Sequence, residues 1–578
     1  MNDYKKNYLR WLESPKVDEA TKAELRAIEN QEEEIRFRFF TSLSFGTAGL
    51  RGIMQAGTNA MNVYTVAQAT EGLAKMIDNT GSDAASRGVV IAYDCRNNSQ
   101  RFAECAACVL AAHGIRVYLF DALRPTPLLS YAIGKLNCFA GINITASHNP
   151  KSYNGYKAYA EDGAQLSTPM AKKVAGYIAE TDIFDDVRSI SLEEALKSGI
   201  LTYTEPSLDE SYLNEVLAQR IDADAVARSA DDLSIVYTPL HGTGYRLVPE
   251  ILSRIGIRHL HCVEEQMRID GNFPTVENPN PEYASVFGLG ISLADRVNSD
   301  LIVATDPDAD RVGIAVRQKD GEFVTLTGNQ TGVLLLDYII TALKRTNRLP
   351  QDAYAVKSIV TTRMADKVCE VQRVPMYDVY TGFRFIGEKI RDNENNGKRG
   401  FLFAFEESYG YLRGKYARDK DAVVATMLIC EMAAYYRAQN MTLLDALQKL
   451  YKTYGYYEDG VENIYMEGLD GLERMKALMQ NLRKMPPKEI GGIKVSRMHD
   501  YLSGCITDMN SGNTDITGMQ PSDVLSFDTD AGDTIVIRPS GTEPKIKIYF
   551  LTAGKTAQEA AEKNKAYRAD AQKWANAV

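Results

Sequence analysis

Apolar runs alternate with helix-like segments along most of the chain, and this alternation restarts twice. In the first block "GVVIAYD" is followed by "SQRFAECAACVLAAHG", and then by "IRVYLFD", "TPLLSYAIGKL" and "CFAGINIT". The pattern restarts at "LSIVYTPLHGTG" and again near "VLLLDYIITALKR". Such alternation with short turns is typical of mostly parallel sheets between helices. The sequence therefore predicts three consecutive mixed-sheet α/β domains.

Two different segments flank these blocks. The first forty residues are rich in Glu, Lys and Arg with helical periodicity, which indicates a helical extension. Near the other end, "EIGGIKVSRMHDY", "SDVLSFDTDAGDTIVIRPSG" and "PKIKIYFLT" indicate antiparallel strands before a final helix, hence a smaller α+β domain. We expect a helical extension at residues 1–40, α/β domain I at 41–210, α/β domain II at 211–325, α/β domain III at 326–455 and α+β domain IV at 456–578.

Bulk properties narrow the class of protein. A chain of 578 residues exceeds what one core usually organises, and several domains are expected. A formal charge of −10 argues against nucleic acid or an anionic membrane as the main partner. No signal-peptide core, no apolar run of about 18 residues and no disulfide spacing among the cysteines is evident. These properties predict a cytoplasmic protein.

Each block places a polar stretch directly after a buried strand, where open α/β sheets bind their ligands. In "ATDPDADRVG" the acids Asp306, Asp308 and Asp310 alternate, so an extended backbone would put them on one face. Pro307 disfavours a helical conformation for Asp306 and supports that extension. Three carboxylates this close repel one another unless a cation lies between them. The stretch predicts a metal site.

The choice of metal follows from the ligands. An EF-hand needs Gly at its sixth position and Glu at its twelfth, but Arg311 and Arg317 stand there. Few hard oxygen ligands favour Mg²⁺, which completes its shell with water or a phosphate oxygen. We therefore expect Mg²⁺ as the cofactor.

The stretch "NITASHNPKSYNGYK" raises three alternatives for Ser147: a nucleophile, a phosphate carrier or a plain turn. The G-x-S-x-G motif of a hydrolase is absent. A phosphorylated serine brings about −1.5 to −2 charges and needs cations beside it. His148, Lys151 and the metal at the aspartates could supply them.

Two further loops carry chemistry suited to a sugar phosphate. In "IRPSGTEPKIKIY" a guanidinium, hydroxyls, turn amides and lysines suit a phosphate dianion. In "FAFEESYGYLRGKYARDKDA" the carboxylates of Glu406 and Glu407 follow a buried strand, where they could accept from sugar hydroxyls. Lys420 is either a solvated lysine or a proton donor.

Two nucleotide motifs are nearly present. "GFRFIGEK" resembles a Walker A loop but has Glu388 between glycine and lysine, and "GLGISL" lacks the third glycine of a dinucleotide fingerprint. These departures argue against ATP and NAD as cofactors.

Taken in order, "TASHNP", "DPDADR", "FEES" and "RPSGTEP" resemble the phosphoserine, metal, sugar and phosphate loops of the α-D-phosphohexomutase family. "FGTAGLRG" also matches, and there Arg51 would face the active site. The match covers roughly residues 42 to 550. The length, the helical extension and "FEESYGYL" look most like the long phosphoglucomutase/phosphopentomutase-like branch.

The resemblance implies four domains around a central cleft, each contributing one loop. It also implies that phospho-Ser147 gives its phosphoryl to a hexose phosphate and recovers the other phosphoryl of a glucose 1,6-bisphosphate intermediate. Mg²⁺ would be held by Asp306, Asp308, Asp310 and the phosphorylated Ser147. The implied partners are small sugar phosphates, with no nucleic acid and no membrane, for a monomer or small homo-oligomer.

The resemblance also implies that Lys420 is the general acid/base, with His148 as an alternative. The implied substrate contacts are Thr381, Gly382, Glu406, Ser408, Arg538, Ser540, Gly541, Thr542 and Lys547. Some relatives have a histidine where this chain has Phe383, and the sugar loop ends "SYGY" rather than in the histidine of phosphomannomutase-like members. These departures favour glucose phosphate over mannose phosphate.

The alternatives left open share the scaffold. They are phosphomannomutase or phosphopentomutase activity, an amino-sugar phosphate as substrate, synthesis of glucose 1,6-bisphosphate, and non-catalytic binding of sugar phosphates.

Overall fold

The computed structural model describes residues 3–46, 49–466, 471–540 and 545–576. The chain divides into two compact units. The first comprises Met1–Thr327, Ile386–Gly397 and Ser408–Asn440, and the second comprises Gly328–Phe385, Lys398–Glu407 and Met441–Val578.

The first forty residues form three helices at the start of the first unit. Helix α2 begins where the Asp18 side chain accepts a hydrogen bond from the Thr21 backbone N–H at 2.9 Å. An apolar cluster around Trp11 and Phe39 joins the helices, and the Trp11 ring lies 5.4 Å from that of Phe184 in an edge-on contact. The helices are α1 Asp3–Glu13, α2 Glu19–Arg26 and α3 Glu32–Phe39.

The first sheet has six strands in the order β1-β5-β4-β2-β3-β6. Strands β4, β2, β3 and β6 are parallel, whereas β5 pairs antiparallel with β4 and β1 pairs antiparallel with β5. All five residues of β2 are buried, as expected for a parallel strand between helical layers. The strands are β1 Leu50–Ile53, β2 Val89–Tyr93, β3 Val117–Leu119, β4 Ala140–Ile144, β5 Tyr153–Ala160 and β6 Leu201–Tyr203. The helices are α4 Val63–Asp78, α5 Ser82–Arg87, α6 Ser99–Ala112, α7 Thr126–Lys135, α8 Thr168–Ala179 and α9 Leu192–Ser198.

The second sheet, also in the first unit, has five strands in the order β11-β10-β9-β7-β8. Strands β9, β7 and β8 are parallel, whereas β10 pairs antiparallel with β9 and β11 pairs antiparallel with β10. The strands are β7 Ser234–Thr238, β8 His259–Cys262, β9 Leu301–Thr305, β10 Val312–Arg317 and β11 Phe323–Leu326. The helices are α10 Ser207–Leu217, α11 Ala223–Ser229, α12 Gly244–Arg254, α13 Glu264–Met267 and α14 Gly288–Val297, with a 3₁₀ turn at Ala284–Phe287.

The third block alternates strands and helices again. Strand β12 lies between β13 and β14 and is parallel to both, within the second unit. Strand β15, helix α18 and most of α17 belong to the first unit. The strands are β12 Tyr354–Ser358, β13 Met376–Val379, β14 Phe401–Glu406 and β15 Gly410–Leu412. The helices are α15 Gly328–Arg345, α16 Met364–Gln372, α17 Phe383–Asn395, α18 Ala422–Arg437 and α19 Leu443–Tyr454.

The C-terminal part of the second unit is an antiparallel sheet in the order β16-β23-β22-β21-β18-β19-β20, with β17 paired to β18. Its core includes Phe527, Ile537, Phe550 and Tyr567. The strands are β16 Tyr456–Tyr465, β17 Glu489–Ile490, β18 Ile493–Asp500, β19 Cys505–Asp508, β20 Thr514–Ile516, β21 Leu525–Thr529, β22 Thr534–Pro539 and β23 Lys545–Gly554. The helices are α20 Gly471–Lys484 and α21 Ala557–Asn576.

The predicted fold class is confirmed, because three α/β blocks are followed by a smaller antiparallel α+β block. Within the described part of the chain, no helix combines the length and the apolar character that a membrane crossing requires.

Candidate active site

The loop that carries Ser147 connects β4 to β5 in the first unit. Ser147 is buried and adopts a left-handed backbone conformation, with φ of 52°. Its backbone N–H donates to the Thr145 hydroxyl at 2.8 Å. Its own hydroxyl donates to Asp306 Oδ2 at 2.8 Å and lies 3.1 Å from Nδ1 of His148. The serine hydroxyl is therefore joined to the first residue of the acidic loop.

The acidic loop follows β9 and is a turn. The Ala309 N–H donates to the Asp306 carbonyl at 2.9 Å, and Ala309 has a φ of 49°. The expectation of an extended backbone from Asp306 to Asp310 is therefore wrong. One oxygen atom from each of Asp306, Asp308 and Asp310 still lies within 4.8 Å of the others, because the turn folds the three carboxylates inward.

The N-terminal ends of α7 and α12 hold the acidic turn in place. The Thr126 hydroxyl donates to Asp308 Oδ2 at 2.7 Å, and the Thr126 N–H donates to the Asp308 carbonyl at 2.9 Å. The N–H of Thr243 donates to the Pro307 carbonyl at 2.8 Å. Gly242 lets the two loops approach, since an added Cβ there would lie 2.5 Å from the Pro307 Cα. The position of the turn is fixed on two sides.

Two buried ammonium groups face the acids. Nζ of Lys157 lies 2.8 Å from Asp308 Oδ2 and 3.5 Å from Asp310 Oδ2. Nζ of Lys420 lies 3.1 Å from Asp310 Oδ2 and 3.0 Å from Asp419 Oδ1. Lys420 is 7% exposed, so the interpretation of a solvated surface lysine is wrong.

The pKa values of two aspartates in this cluster are shifted in opposite directions. Burial and the neighbouring carboxylates of Asp308 and Asp310 raise the pKa of Asp306 well above its usual range. Burial also acts to raise the pKa of Asp308, but the ion pair with Lys157 outweighs it and the pKa is lowered. Three buried carboxylates so close together cannot all ionise without further positive charge.

The cluster fits a divalent cation. Among the described residues, Asp308 Oδ1 and Asp310 Oδ1 are buried acceptors without a hydrogen-bond partner. A buried acceptor left unpaired is costly unless an ion or water binds it. The donor set consists of hard carboxylate oxygens, which Mg²⁺ prefers.

His148 and Arg51 border the serine from the other side. Burial, together with the nearby charges of Arg311 and Arg51, lowers the pKa of His148 well below its usual range. The lowered pKa favours a neutral imidazole at His148 beside the unphosphorylated serine, and a cationic His148 beside phosphorylated Ser147 stays a prediction. The guanidinium of Arg51 is exposed and donates to the side-chain oxygen of Asn149 at 3.0 Å.

In the second unit, the predicted sugar loop follows β14. Glu406 is buried, and its Oε1 accepts from the Gly382 N–H at 2.6 Å. The hydroxyl oxygen of Thr381 is buried and has no hydrogen-bond partner among the residues that the structure describes. Thr381, Gly382 and Glu406 thus form one polar group that can accept or donate bonds to a ligand hydroxyl. Ser408 belongs to the first unit, where its carbonyl accepts from Arg311 at 2.8 Å.

The predicted phosphate loop lies between β22 and β23 in the same unit. Arg538 and Lys547 are directly opposite each other in the antiparallel pair, so both side chains lie on one face. Like charges in that position repel each other, and an anion between them would remove the repulsion. The Ser540 N–H donates to the Lys545 carbonyl at 2.8 Å. Gly541 and Thr542 lie outside the described residues.

The structure thus brings Ser147, His148 and Lys420 together with the three aspartates in the first unit. Two residues of this cluster, Lys157 and Thr126, had no predicted role. Lys157 stands in the same stretch as Ser147, ten residues on, but the antiparallel pairing of β4 and β5 is needed to turn it back. No local signal marks Thr126, which contacts a residue 182 positions away.

Four consecutive segments match the domains of one family. They are described as phosphoglucomutase/phosphomannomutase α/β/α domains I, II and III, at residues 42–183, 210–321 and 327–454, and the C-terminal domain, at 475–568.

Whole-chain relatives agree with this assignment. A phosphoglucomutase of Staphylococcus aureus strain MSSA476 is 36% identical over 552 residues, which cover 95% of this chain and 96% of the relative. The phosphoglucomutase of strain MRSA252 is 38% identical over 519 residues, which cover 89% of this chain and 90% of the relative.

Solved structures share the fold at low sequence identity. A phosphoglucomutase/phosphomannomutase family protein from Burkholderia thailandensis is 17% identical with a TM-score of 0.65, covering 92% of this chain and 98% of its own. Parafusin from Paramecium, in its open form, is 18% identical with a TM-score of 0.65, and the match covers 93% of this chain and 95% of parafusin. With all four domains present in order and close whole-length relatives, the chain belongs to the α-D-phosphohexomutase family of phosphoglucomutases and phosphomannomutases.

Proposed function

We propose that this protein is a phosphoglucomutase, which interconverts glucose 1-phosphate and glucose 6-phosphate. The observation that carries the proposal is the 2.8 Å hydrogen bond from the Ser147 hydroxyl to Asp306, at the edge of a buried three-carboxylate cluster. Similarity to phosphoglucomutases over 95% of the chain supports glucose phosphate as the substrate.

Ser147 acts as a carrier of the phosphoryl group. The bond between phosphorus and Ser147 Oγ breaks while a bond forms from phosphorus to a free hydroxyl oxygen of the sugar phosphate. The product of that step is glucose 1,6-bisphosphate, and its other phosphoryl group returns to Ser147 Oγ in the second step. Both steps conserve the phosphoryl group, and the serine ends as it began.

Protons move in the opposite direction to the phosphoryl group. In the first step the sugar hydroxyl loses its proton and Ser147 Oγ takes one up as its phosphoryl group leaves. Lys420, buried beside the acidic cluster, is the proposed general acid/base, and it would accept the sugar proton as a neutral amine after its ammonium has released a proton. His148 is the alternative, since its Nδ1 lies 3.1 Å from the serine oxygen and its lowered pKa favours the form that can accept a proton. Arg51, exposed beside the serine loop, would attract the anionic substrate.

The family resemblance also assigns substrate contacts outside the acidic cluster. By that resemblance, Thr381, Gly382, Glu406 and Ser408 would bind sugar hydroxyls. The non-transferred phosphate would be bound by a guanidinium, an ammonium, hydroxyls and loop amides, which suit a dianion. The proposed phosphate contacts are Arg538, Ser540, Gly541, Thr542 and Lys547.

Asp306, Asp308 and Asp310 would hold Mg²⁺, with an oxygen of phosphorylated Ser147 as a further ligand. When bound, the ion would offset the negative charge on the phosphoryl group during transfer. The aspartates in turn are held by Lys157 and Thr126.

The test combines mass measurement with turnover. The purified protein is incubated with glucose 1,6-bisphosphate, and Ser147 is expected to gain one phosphoryl group that peptide mapping locates. Turnover of glucose 1-phosphate is then compared with that of mannose 1-phosphate and ribose 1-phosphate, and glucose 1-phosphate should be fastest. A faster rate on either other sugar would reassign the substrate.

Ser147→Ala should abolish both phosphorylation and turnover. The matched control is Ser152→Ala, which removes an exposed hydroxyl from the same loop and should leave both unchanged. Full turnover by folded Ser147→Ala would refute the phosphoserine mechanism. Sugar phosphate binding without any turnover by the unmodified protein would indicate a non-catalytic binding protein.

A further inference from the structure

A buried arginine lies directly beneath the serine loop. Arg96 follows β2 in the stretch "YDCRNN" and is 3% exposed. Its Nη2 donates to the carbonyl oxygens of Ser147 and Asn149, each at 2.5 Å. Its Nη1 donates to the carbonyls of Pro150 and Tyr153 at 2.9 and 3.1 Å. One guanidinium thus binds four backbone carbonyls between residues 147 and 153.

Further contacts hold the Arg96 guanidinium on the side opposite the serine loop. Nε of Arg96 lies 3.4 Å from Asp94 Oδ2, and the other oxygen of Asp94 accepts from the Arg96 N–H at 2.9 Å. The ring of Phe273 lies 5.2 Å from the guanidinium carbon, in a cation–π contact. A hydroxyl also joins this support, since Ser99 donates to Asp94 at 2.7 Å and accepts from Asn154 at 3.0 Å. Arg96 is therefore fixed on the side opposite the loop.

The loop conformation explains why such support is needed. The φ of 52° at Ser147 is a left-handed conformation that residues other than glycine adopt reluctantly. Four carbonyl oxygens that point at one place repel one another unless a donor with several N–H groups binds them all. A planar guanidinium offers five N–H donors in fixed directions, whereas an ammonium offers three on a compact charge.

We propose that Arg96 is a positioning residue, which holds the Ser147 loop in the conformation that directs the serine oxygen to Asp306. This inference rests on the function proposed above. Nη1 and Nη2 of Arg96 donate to backbone carbonyls and its Nε forms an ion pair with Asp94, so Arg96 acts on the reaction through the loop. Its loss should slow phosphoryl transfer to and from Ser147 and leave substrate binding by the phosphate loop intact.

The experiment compares Arg96→Lys and Arg96→Met with the unmodified protein. A displacement of about 1 Å in a reacting group can cost about 100-fold in rate, and that is the expected fall in kcat for Arg96→Met. Arg96→Lys should lie between the two, because it keeps the charge but has fewer donors. KM for glucose 1-phosphate should stay within about twofold. The rate at which glucose 1,6-bisphosphate phosphorylates Ser147, followed by intact mass, should fall in parallel with kcat.

Arg87→Lys is the matched control. Arg87 lies in the same domain and also donates to two backbone carbonyls, those of Asn137 at 3.1 Å and Cys138 at 3.3 Å, but away from the serine loop. Its kcat and its phosphorylation rate should not change.

The outcomes separate the positioning role from the proposed function. Turnover and Ser147 phosphorylation by the unmodified protein, with equal rates in folded Arg96→Lys, would overturn the positioning role alone. An equal loss in Arg87→Lys, or a raised KM at constant kcat, would also overturn it. If Arg96→Met does not fold, the comparison with Arg96→Lys decides. No turnover and no phosphorylation in the unmodified protein would overturn both proposals.

Discussion

The side chain of Lys420 lies across the backbone of Gly410, where an added Cβ would be 2.2 Å from the lysine Cδ. Gly410 stands in β15, within the same unit as Lys420. The missing side chain at position 410 therefore makes the space through which the buried lysine reaches Asp310 at 3.1 Å.

We expect Gly410→Ala to lower kcat by about 10- to 100-fold, because the methyl group would displace the Lys420 ammonium from its position. The measurement is steady-state turnover of glucose 1-phosphate. Gly176→Ala, in α8, is the control, because no atom lies within 4 Å of the added Cβ there. Equal kcat in Gly410→Ala and the unmodified protein would contradict a role for the Lys420 position.

Asp308→Asn should weaken binding of Mg²⁺, because it removes a charge and a buried ligand oxygen. For the unmodified protein, Mg²⁺ at about 100 times its Kd should stabilise the fold by about 2.7 kcal/mol. The stabilisation is measured as a rise in the midpoint temperature of the first thermal unfolding transition. That rise should be largely lost in Asp308→Asn and retained in Asp320→Asn, which changes an exposed acid of the same domain. The proposed metal site would be refuted if Mg²⁺ raised the unfolding temperature of Asp308→Asn as much as that of the unmodified protein.

Arg538→Ala should raise KM for every sugar phosphate by about 10- to 100-fold. Charge-assisted hydrogen bonds contribute about 1.5–3 kcal/mol, and about 1.4 kcal/mol corresponds to a tenfold change. Lys555→Ala removes an exposed cation from the same domain and should leave KM unchanged. A raised KM for only one sugar would show that Arg538 contacts the sugar rather than the phosphate.

Stability should depend on His113, whose buried ring is held between two acids of α4. Its Nε2 lies 2.9 Å from Glu71 Oε2, and its Nδ1 lies 2.7 Å from Asp78 Oδ2. Burial acts to lower the pKa of His113, but the two carboxylates outweigh it and the pKa is raised. A raised pKa in the folded state means that the stabilisation is present below about pH 6.5 and is lost as pH rises through the folded-state pKa.

His113→Gln should therefore lower the first unfolding temperature more at pH 6 than at pH 9. The expected loss at pH 6 is about 1–3 kcal/mol, because Glu71 loses a charged donor. Differential scanning calorimetry at the two pH values measures it, with the exposed His259→Gln as control. An equal loss at both pH values would show that the ring acts by packing and not by its charge.

The four loops were recognisable from sequence because each combines a buried strand end with an unusual set of polar residues. Both signals are local: apolar periodicity identifies the strand, and residue chemistry identifies the loop. The three aspartates, for example, stand within five residues, so their convergence needs only one turn. The backbone of that turn was not predictable, since a single left-handed residue, Ala309, decides between an extended stretch and a turn.

Apolar periodicity and local motifs were enough to predict the order of α/β blocks and the family, and to name candidate residues for the chemistry. The environment of those residues became visible only in the folded chain: Lys420 is buried, the pKa of His148 is lowered, and Thr126 and Lys157 contact Asp308. Burial and charge interactions depend on atoms brought together from positions 151 and 182 residues apart, and no local sequence pattern contains that information.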